Sequence, residues 1–93
     1  MNRNKLKNAR TKVDQLDQKI FNLIKKRTQI IKYMLSLKKS RKEIVDSKRN
    51  NEILEKIKNK SIKNKIDLKL TRRIWKAMIW GYVDFQRRNF KKK

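Results

Sequence analysis

The stretch LKNARTKVDQLDQKIFNLIKKRTQIIKYMLSL, residues 6–37, decides the fold. Its apolar positions, Leu6, Ala9, Val13, Leu16, Ile20, Leu23, Ile24, Ile30, Ile31, Met34 and Leu37, recur every three or four residues, which places them on one face of a helix. Nothing in the stretch breaks that helix, because the chain has no proline and its only glycine is Gly81. The pattern predicts a first helix over residues 5–39. Such a helix is roughly 50 Å long, at about 1.5 Å of rise per residue. A compact globule of this chain length is only about 33 Å across, from a radius of gyration near 13 Å. The helix therefore overhangs its own domain, and the simplest cover for its apolar face is a second copy related by a twofold axis. A monomeric helical hairpin with a frayed end is the alternative, and it leaves the stripe wet.

Downstream, residues 40–45 are mostly charged and end in the β-branched pair Ile44 and Val45. Asp46 or Ser47 can then cap a second helix, predicted over 47–62, carrying Ile53, Leu54, Ile57 and Ile62. A short basic stretch, residues 63–66, interrupts it. Asp67 caps a third helix, predicted over 67–90, with a stripe of Leu70, Ile74, Trp75, Met78, Ile79, Tyr82, Val83 and Gln86. No internal repeat or flexible linker is present. The expectation is one all-α domain over residues 1–93, three helices per chain with a long first helix, assembled as an intertwined homodimer.

Composition excludes several kinds of chemistry. With no cysteine and no histidine, disulfides, thiolate metal sites and catalytic triads are out of reach, and the commonest metal ligand is missing. The reading expects no metal and no cofactor. No run approaches the roughly 18 apolar residues of a membrane span, and the basic N-terminus is not followed by the apolar stretch of a signal peptide. Cytoplasmic residence without a membrane partner is the default. Net charge is +22, with 30 basic against 8 acidic residues. Taken alone it suggests a polyanionic partner, but lysines scattered beside many Asn and Ile equally reflect coding bias. No nucleic-acid recognition motif accompanies the charge, so nucleic acid is a possible partner and not the favoured one.

Polar residues on the apolar stripes are the candidates for function. Arg27 and Lys38 are 11 residues apart, three turns plus about 20°, and so share a direction about 16 Å apart on one helix. Arg10 precedes Arg27 by 17 residues, about 100° round the helix and some 25 Å away. In an antiparallel or crossed dimer, Arg10 of one chain can enter the pocket lined by Arg27 and Lys38 of the other. Gln86 lies one turn beyond Tyr82 and supplies an uncharged donor. Each has a plainer reading as well, since Arg and Lys beside an apolar stripe commonly bury their stems and send the head group to water.

In order along the chain stand Arg10, Leu16-Asp17, Arg27, Lys38, Asp46-Ser47-Lys48-Arg49 and Gln86, with Ile66-Asp67 opening the third helix. This ordered set resembles the AroQ-type chorismate mutase pattern across nearly the whole chain. The resemblance implies an intertwined dimer with two sites, each completed by an arginine from its partner. It implies a substrate, chorismate, rearranged to prephenate by a pericyclic [3,3] shift without cofactor, a step of aromatic amino acid biosynthesis. Arg10 from the partner, Arg27 and Arg49 would hold the two carboxylates, for which the guanidinium fork suits bidentate contact. Lys38 and Gln86 would hydrogen-bond the ether oxygen, where negative charge grows as the C–O bond breaks. Asp46 would lie near the ring hydroxyl.

Two positions depart from the mutase pattern. Asn50 stands where such enzymes usually carry a Glu that takes the ring hydroxyl, and Tyr82 stands where a small Ser is common. The isochorismate-pyruvate lyases, sister enzymes on the same fold, resemble the chain at both positions, and isochorismate is therefore the alternative substrate. The mutase is favoured because Asp46 and the Asp-x-x-Arg context read more like mutases. A fused dehydratase or dehydrogenase is not expected.

Overall fold

The computed structural model describes residues 2–91. Among them are three α-helices, α1 (Arg3–Leu37), α2 (Ser47–Lys63) and α3 (Leu68–Asn89), with a 3₁₀ turn at Arg41–Glu43 and no strand. The fold is all-α. The chain divides into two compact units, Met1–Tyr33 and Met34–Lys93.

The first unit is α1 up to Tyr33. Its apolar stripe is solvent-exposed: Leu6, Val13, Leu16, Ile20 and Leu23 each keep more than half of their surface open, at 51, 53, 55, 53 and 63%. The unit has the helical face predicted from spacing and buries none of these five residues.

The second unit contains the core. Leu35, Ile44 and Val83 form a buried apolar cluster, with Val45 and Phe90 packed against it. Two of these positions lie outside the stripes read from the sequence. Leu35 sits beside the α1 stripe and not on it, and Ile44 belongs to the charged segment that reads as a linker. The 3₁₀ turn brings Ile44 inward. Its N–H bonds the Arg41 carbonyl at 3.1 Å, and Arg41 itself donates to the Arg87 carbonyl at 3.0 Å while its guanidinium lies 5.4 Å from the centre of the Phe90 ring. The turn is thereby fastened to the end of α3.

The helix ends follow from capping chemistry. Asp46 caps α2 by accepting from the Arg49 N–H at 3.0 Å, and Asp67 caps α3 by accepting from Lys69 and Leu70. Both satisfy backbone donors that the first helical turn leaves open. At its other end α2 closes with a pair of crossed bonds, Ile66 N–H to Ser61 O at 2.9 Å and Lys65 N–H to Ile62 O at 3.3 Å. That arrangement needs a left-handed residue, and Lys65 adopts it with φ 54° in place of the usual glycine. α1 stops at Leu37, two residues before the expected end, and the Lys38 N–H turns back to the Leu35 carbonyl at 3.1 Å.

α2 and α3 pack on each other within this unit. Ser61, unremarked in the sequence, is buried at 3% exposure, while Ile62, assigned to the apolar stripe, is 62% exposed. The small serine occupies the inward position, with its hydroxyl 2.7 Å from the Ile57 carbonyl and 2.7 Å from the Thr71 hydroxyl. A buried hydroxyl with two partners carries no unmet hydrogen-bonding cost.

Glu43 closes the 3₁₀ turn from below, its carboxylate accepting from the backbone N–H groups of Ser40 and Lys39. Those two donors hold its carboxyl below the usual glutamate range. Because the folded-state value is lowered, the stabilisation is fully present above the unfolded glutamate value and is lost as pH falls through the lowered one. Glu43→Gln keeps an acceptor but removes the charge. The wild type is expected to be the more stable protein at neutral pH in urea titrations, with the difference shrinking toward zero as the pH drops below the carboxylate range. A difference independent of pH would contradict this role.

Candidate active site

The second unit brings two of the sequence-selected residues into direct contact. The Lys38 ammonium donates to Gln86 Oε1 at 2.8 Å. Lys38 follows the end of α1, so its side chain leaves from a turn and not from the helical face assumed from spacing. Gln86 lies in the last turns of α3 and is buried at 6% exposure. Its placement follows from Val83, one turn earlier on the same face and part of the core cluster.

The hydrogen bonding fixes the orientation of the amide. An ammonium only donates, so the oxygen of Gln86 must face Lys38 and its nitrogen must face away. That nitrogen donates to the Tyr82 carbonyl at 3.2 Å. One amide hydrogen of Gln86 and two ammonium hydrogens of Lys38 remain beyond these bonds. A cation and a buried amide, each held by the other, form a preset cluster of donors for an oxygen that gains negative charge.

Asp46, Arg49 and Asn50 gather at the start of α2. Asp46 is the cap described above, and its backbone carbonyl accepts from the Asn50 N–H at 2.9 Å. Arg49 is exposed and lies 3.7 Å from Glu52, one turn along the helix. Such a surface pair contributes under about 1 kcal/mol and leaves the guanidinium available for other partners. Asn50 is half-buried and lines a cleft between α2 and α3. The Tyr82 ring, also half-buried, meets Phe85 edge-on with centroids 6.3 Å apart. Arg10 and Arg27 belong to the first unit, where Arg10 is exposed and Arg27 half-buried.

Sequence spacing selected Lys38 and Gln86 but gave no sign that they bond one another, since they are 48 residues apart. Leu35 and Ile44, which set their positions, were missed. The Leu35 signal was present, four residues after Ile31 on the edge of the apolar face.

The chain is thus all-helical, with a lysine just past its first helix bonded to a buried glutamine of its last. Residues 9–87 match the family chorismate mutase type II, and the chain belongs to that family. No curated protein matches significantly, and no solved structure does. Among the described residues no helix is long and apolar enough to cross a membrane.

The Lys38–Gln86 bond can be isolated by a double-mutant cycle. Lys38→Met leaves Gln86 Oε1 without its donor, and Gln86→Leu leaves the ammonium to water. Denaturant unfolding at fixed protein concentration is expected to give a coupling of about 1 kcal/mol between the two changes, as for a hydrogen bond to a charged group at a half-buried site. A coupling indistinguishable from zero would mean that the contact does not hold the fold together.

Proposed function

We propose that the protein is a chorismate mutase, converting chorismate to prephenate by a concerted [3,3] shift in which the ether C–O bond breaks as the new C–C bond forms. The single observation that carries this reading is the Lys38–Gln86 pair, 2.8 Å apart, in a chain that belongs to the type II family. No proton is transferred and no covalent intermediate forms, so a site without His or Cys suffices. The enzyme's task is to hold the folded substrate conformer and to favour the charge separation of the transition state.

Lys38 and Gln86 are the proposed donors to the ether oxygen. Their mutual bond fixes both before substrate arrives, so no reorganisation is needed at the moment of reaction. Arg49 is proposed for one substrate carboxylate. Arg10 and Arg27 are proposed for carboxylate contacts on the family pattern alone, Arg10 acting from a partner chain. Asp46 and Asn50 are proposed for the ring hydroxyl. An uncharged Asn can accept that hydrogen bond, but it is shorter than the usual Glu and carries no charge.

The homodimer is part of the same reading. Its support is the stripe from Leu6 to Leu23, which a single chain leaves more than half exposed at each of the five positions described above. A second copy supplies both the cover and the partner arginine. The charge of +22 favours encounter with a dianionic substrate, an effect that declines with salt.

Asn50 and Tyr82 favour a second reading, elimination of pyruvate from isochorismate on the same fold. Separate incubations with chorismate and isochorismate distinguish the two. Prephenate from chorismate is the expected result. Salicylate plus pyruvate, without prephenate, would move the assignment to the lyase, and unchanged substrates in both tubes would reject an enzymatic role. Lys38→Ala and Gln86→Ala are expected to lower kcat by at least tenfold with a smaller change in KM. Arg10→Ala and Arg27→Ala are each expected to be inactive, while reassembled mixtures of the two should recover about a quarter of the sites, as random pairing of half-complementing chains requires. No recovery would contradict the shared site.

A further inference from the structure

A cleft of about 300 Å³ opens between α2 and α3 in the second unit. Neither Lys38 nor Gln86 lines it, and of the residues proposed above for substrate only Asn50 does. Arg72 and Lys76 line it from α3 and Asn50 and Asn51 from α2, Trp80 and Leu54 supply apolar surface, and no acidic residue is in the lining.

The two cations have no carboxylate to answer them. Neither Arg72 nor Lys76 forms a hydrogen bond or ion pair with a described residue. They are four residues apart on α3, so their side chains are neighbours and repel. Five of the unit's six carboxylates are committed elsewhere. Glu43 and Asp46 cap the elements they precede or close, Asp67 caps α3, Glu52 faces Arg49, and Asp84 pairs with Arg88 at 2.9 Å. Glu55 does not line the cleft. Trp80, 54% exposed, and the buried Ile79 add apolar surface to the same lining.

We propose that this cleft is a binding site for a small organic anion, a carboxylate carried on a flat apolar ring, separate from the Lys38–Gln86 pair. The carboxylate lies between Arg72 and Lys76, where it removes their repulsion and accepts charge-assisted hydrogen bonds. The Asn51 amide donates to the same group, and the ring rests on the Trp80 indole above Leu54. The volume is at the small end of ligand pockets and suits a single ring and its carboxylate. The proposal uses neither ether-oxygen donor of the mutase reading and shares with that reading only Asn50, at the edge of the lining.

The test is a titration of the full chain with benzoate at constant ionic strength, followed by the indole N–H signal of Trp80 in ¹H–¹⁵N spectra, with Trp75→Phe identifying that signal. A saturable movement of the Trp80 and Asn51 side-chain resonances is expected. Arg72→Gln and Lys76→Gln, both at exposed positions, should each weaken binding at least fivefold, and Lys38→Ala should leave it unchanged. Inorganic phosphate, which has the charge without the ring, should bind at least tenfold more weakly. A non-saturating response overturns the proposal, as does benzoate binding that survives both α3 substitutions. Loss of binding in Lys38→Ala would place the anion at the other site and equally overturn it. Equal affinity for phosphate and benzoate would remove the ring from the ligand class and contradict the assignment as stated.

Discussion

The bond from the Lys38 ammonium to the Gln86 amide is the interaction on which the functional account depends. A buried glutamine is costly unless its polar atoms are met, and here the oxygen is met by Lys38 and the nitrogen by the Tyr82 carbonyl. The apolar cluster of Leu35, Ile44 and Val83 places the partners. Leu35 lies one turn before Lys38 and Val83 one turn before Gln86, so the packing that closes the second unit also sets the separation of the two donors. On α3 core and site are consecutive turns of one helix, and on the other side Lys38 follows directly on the end of α1.

Scarcity of carboxylates shapes the rest. With 8 acidic residues against 30 basic ones, each carboxylate has a large effect on local order. In the second unit all but Glu55 are used on backbone N–H groups at the starts of α2 and α3 and under the 3₁₀ turn, or on exposed arginines. The starts of α2 and α3 are thereby secured. An excess of cations over carboxylates is the common thread between the proposed dianionic substrate and the cleft beside Arg72 and Lys76.

Much of the fold was legible because helices declare themselves through a period of 3.6. The α3 stripe from Trp75 to Gln86, the caps at Asp46 and Asp67 and the break after residue 63 all have local causes, whereas Leu70 and Ile74, read into the same stripe, are exposed. What was not legible depended on contacts distant in sequence. Ile44 looks like part of a charged linker until a 3₁₀ turn, held by Arg41 on Arg87 and Phe90, rotates it into the core. Ser61 is inward because its hydroxyl finds Thr71, and no periodicity rule favours a serine over the isoleucine beside it. The turn at Lys65 lacks the glycine that would have marked a left-handed residue. For the site, residue types and order selected Lys38 and Gln86, while the helix ending at Leu37 moved Lys38 off the face that spacing had given it.

The central claim is that position 86 acts by donating a hydrogen bond to an oxygen that becomes negative. The pH–rate profile of Gln86→Glu with chorismate tests it most directly. A glutamate there donates only when protonated, and the neighbouring ammonium favours its ionised form. The account predicts a variant nearly inactive at neutral pH whose kcat climbs about tenfold per pH unit as the solution is acidified, while the wild type changes little over the same range. A variant with wild-type kcat at neutral pH, or with a rate independent of pH, would contradict it.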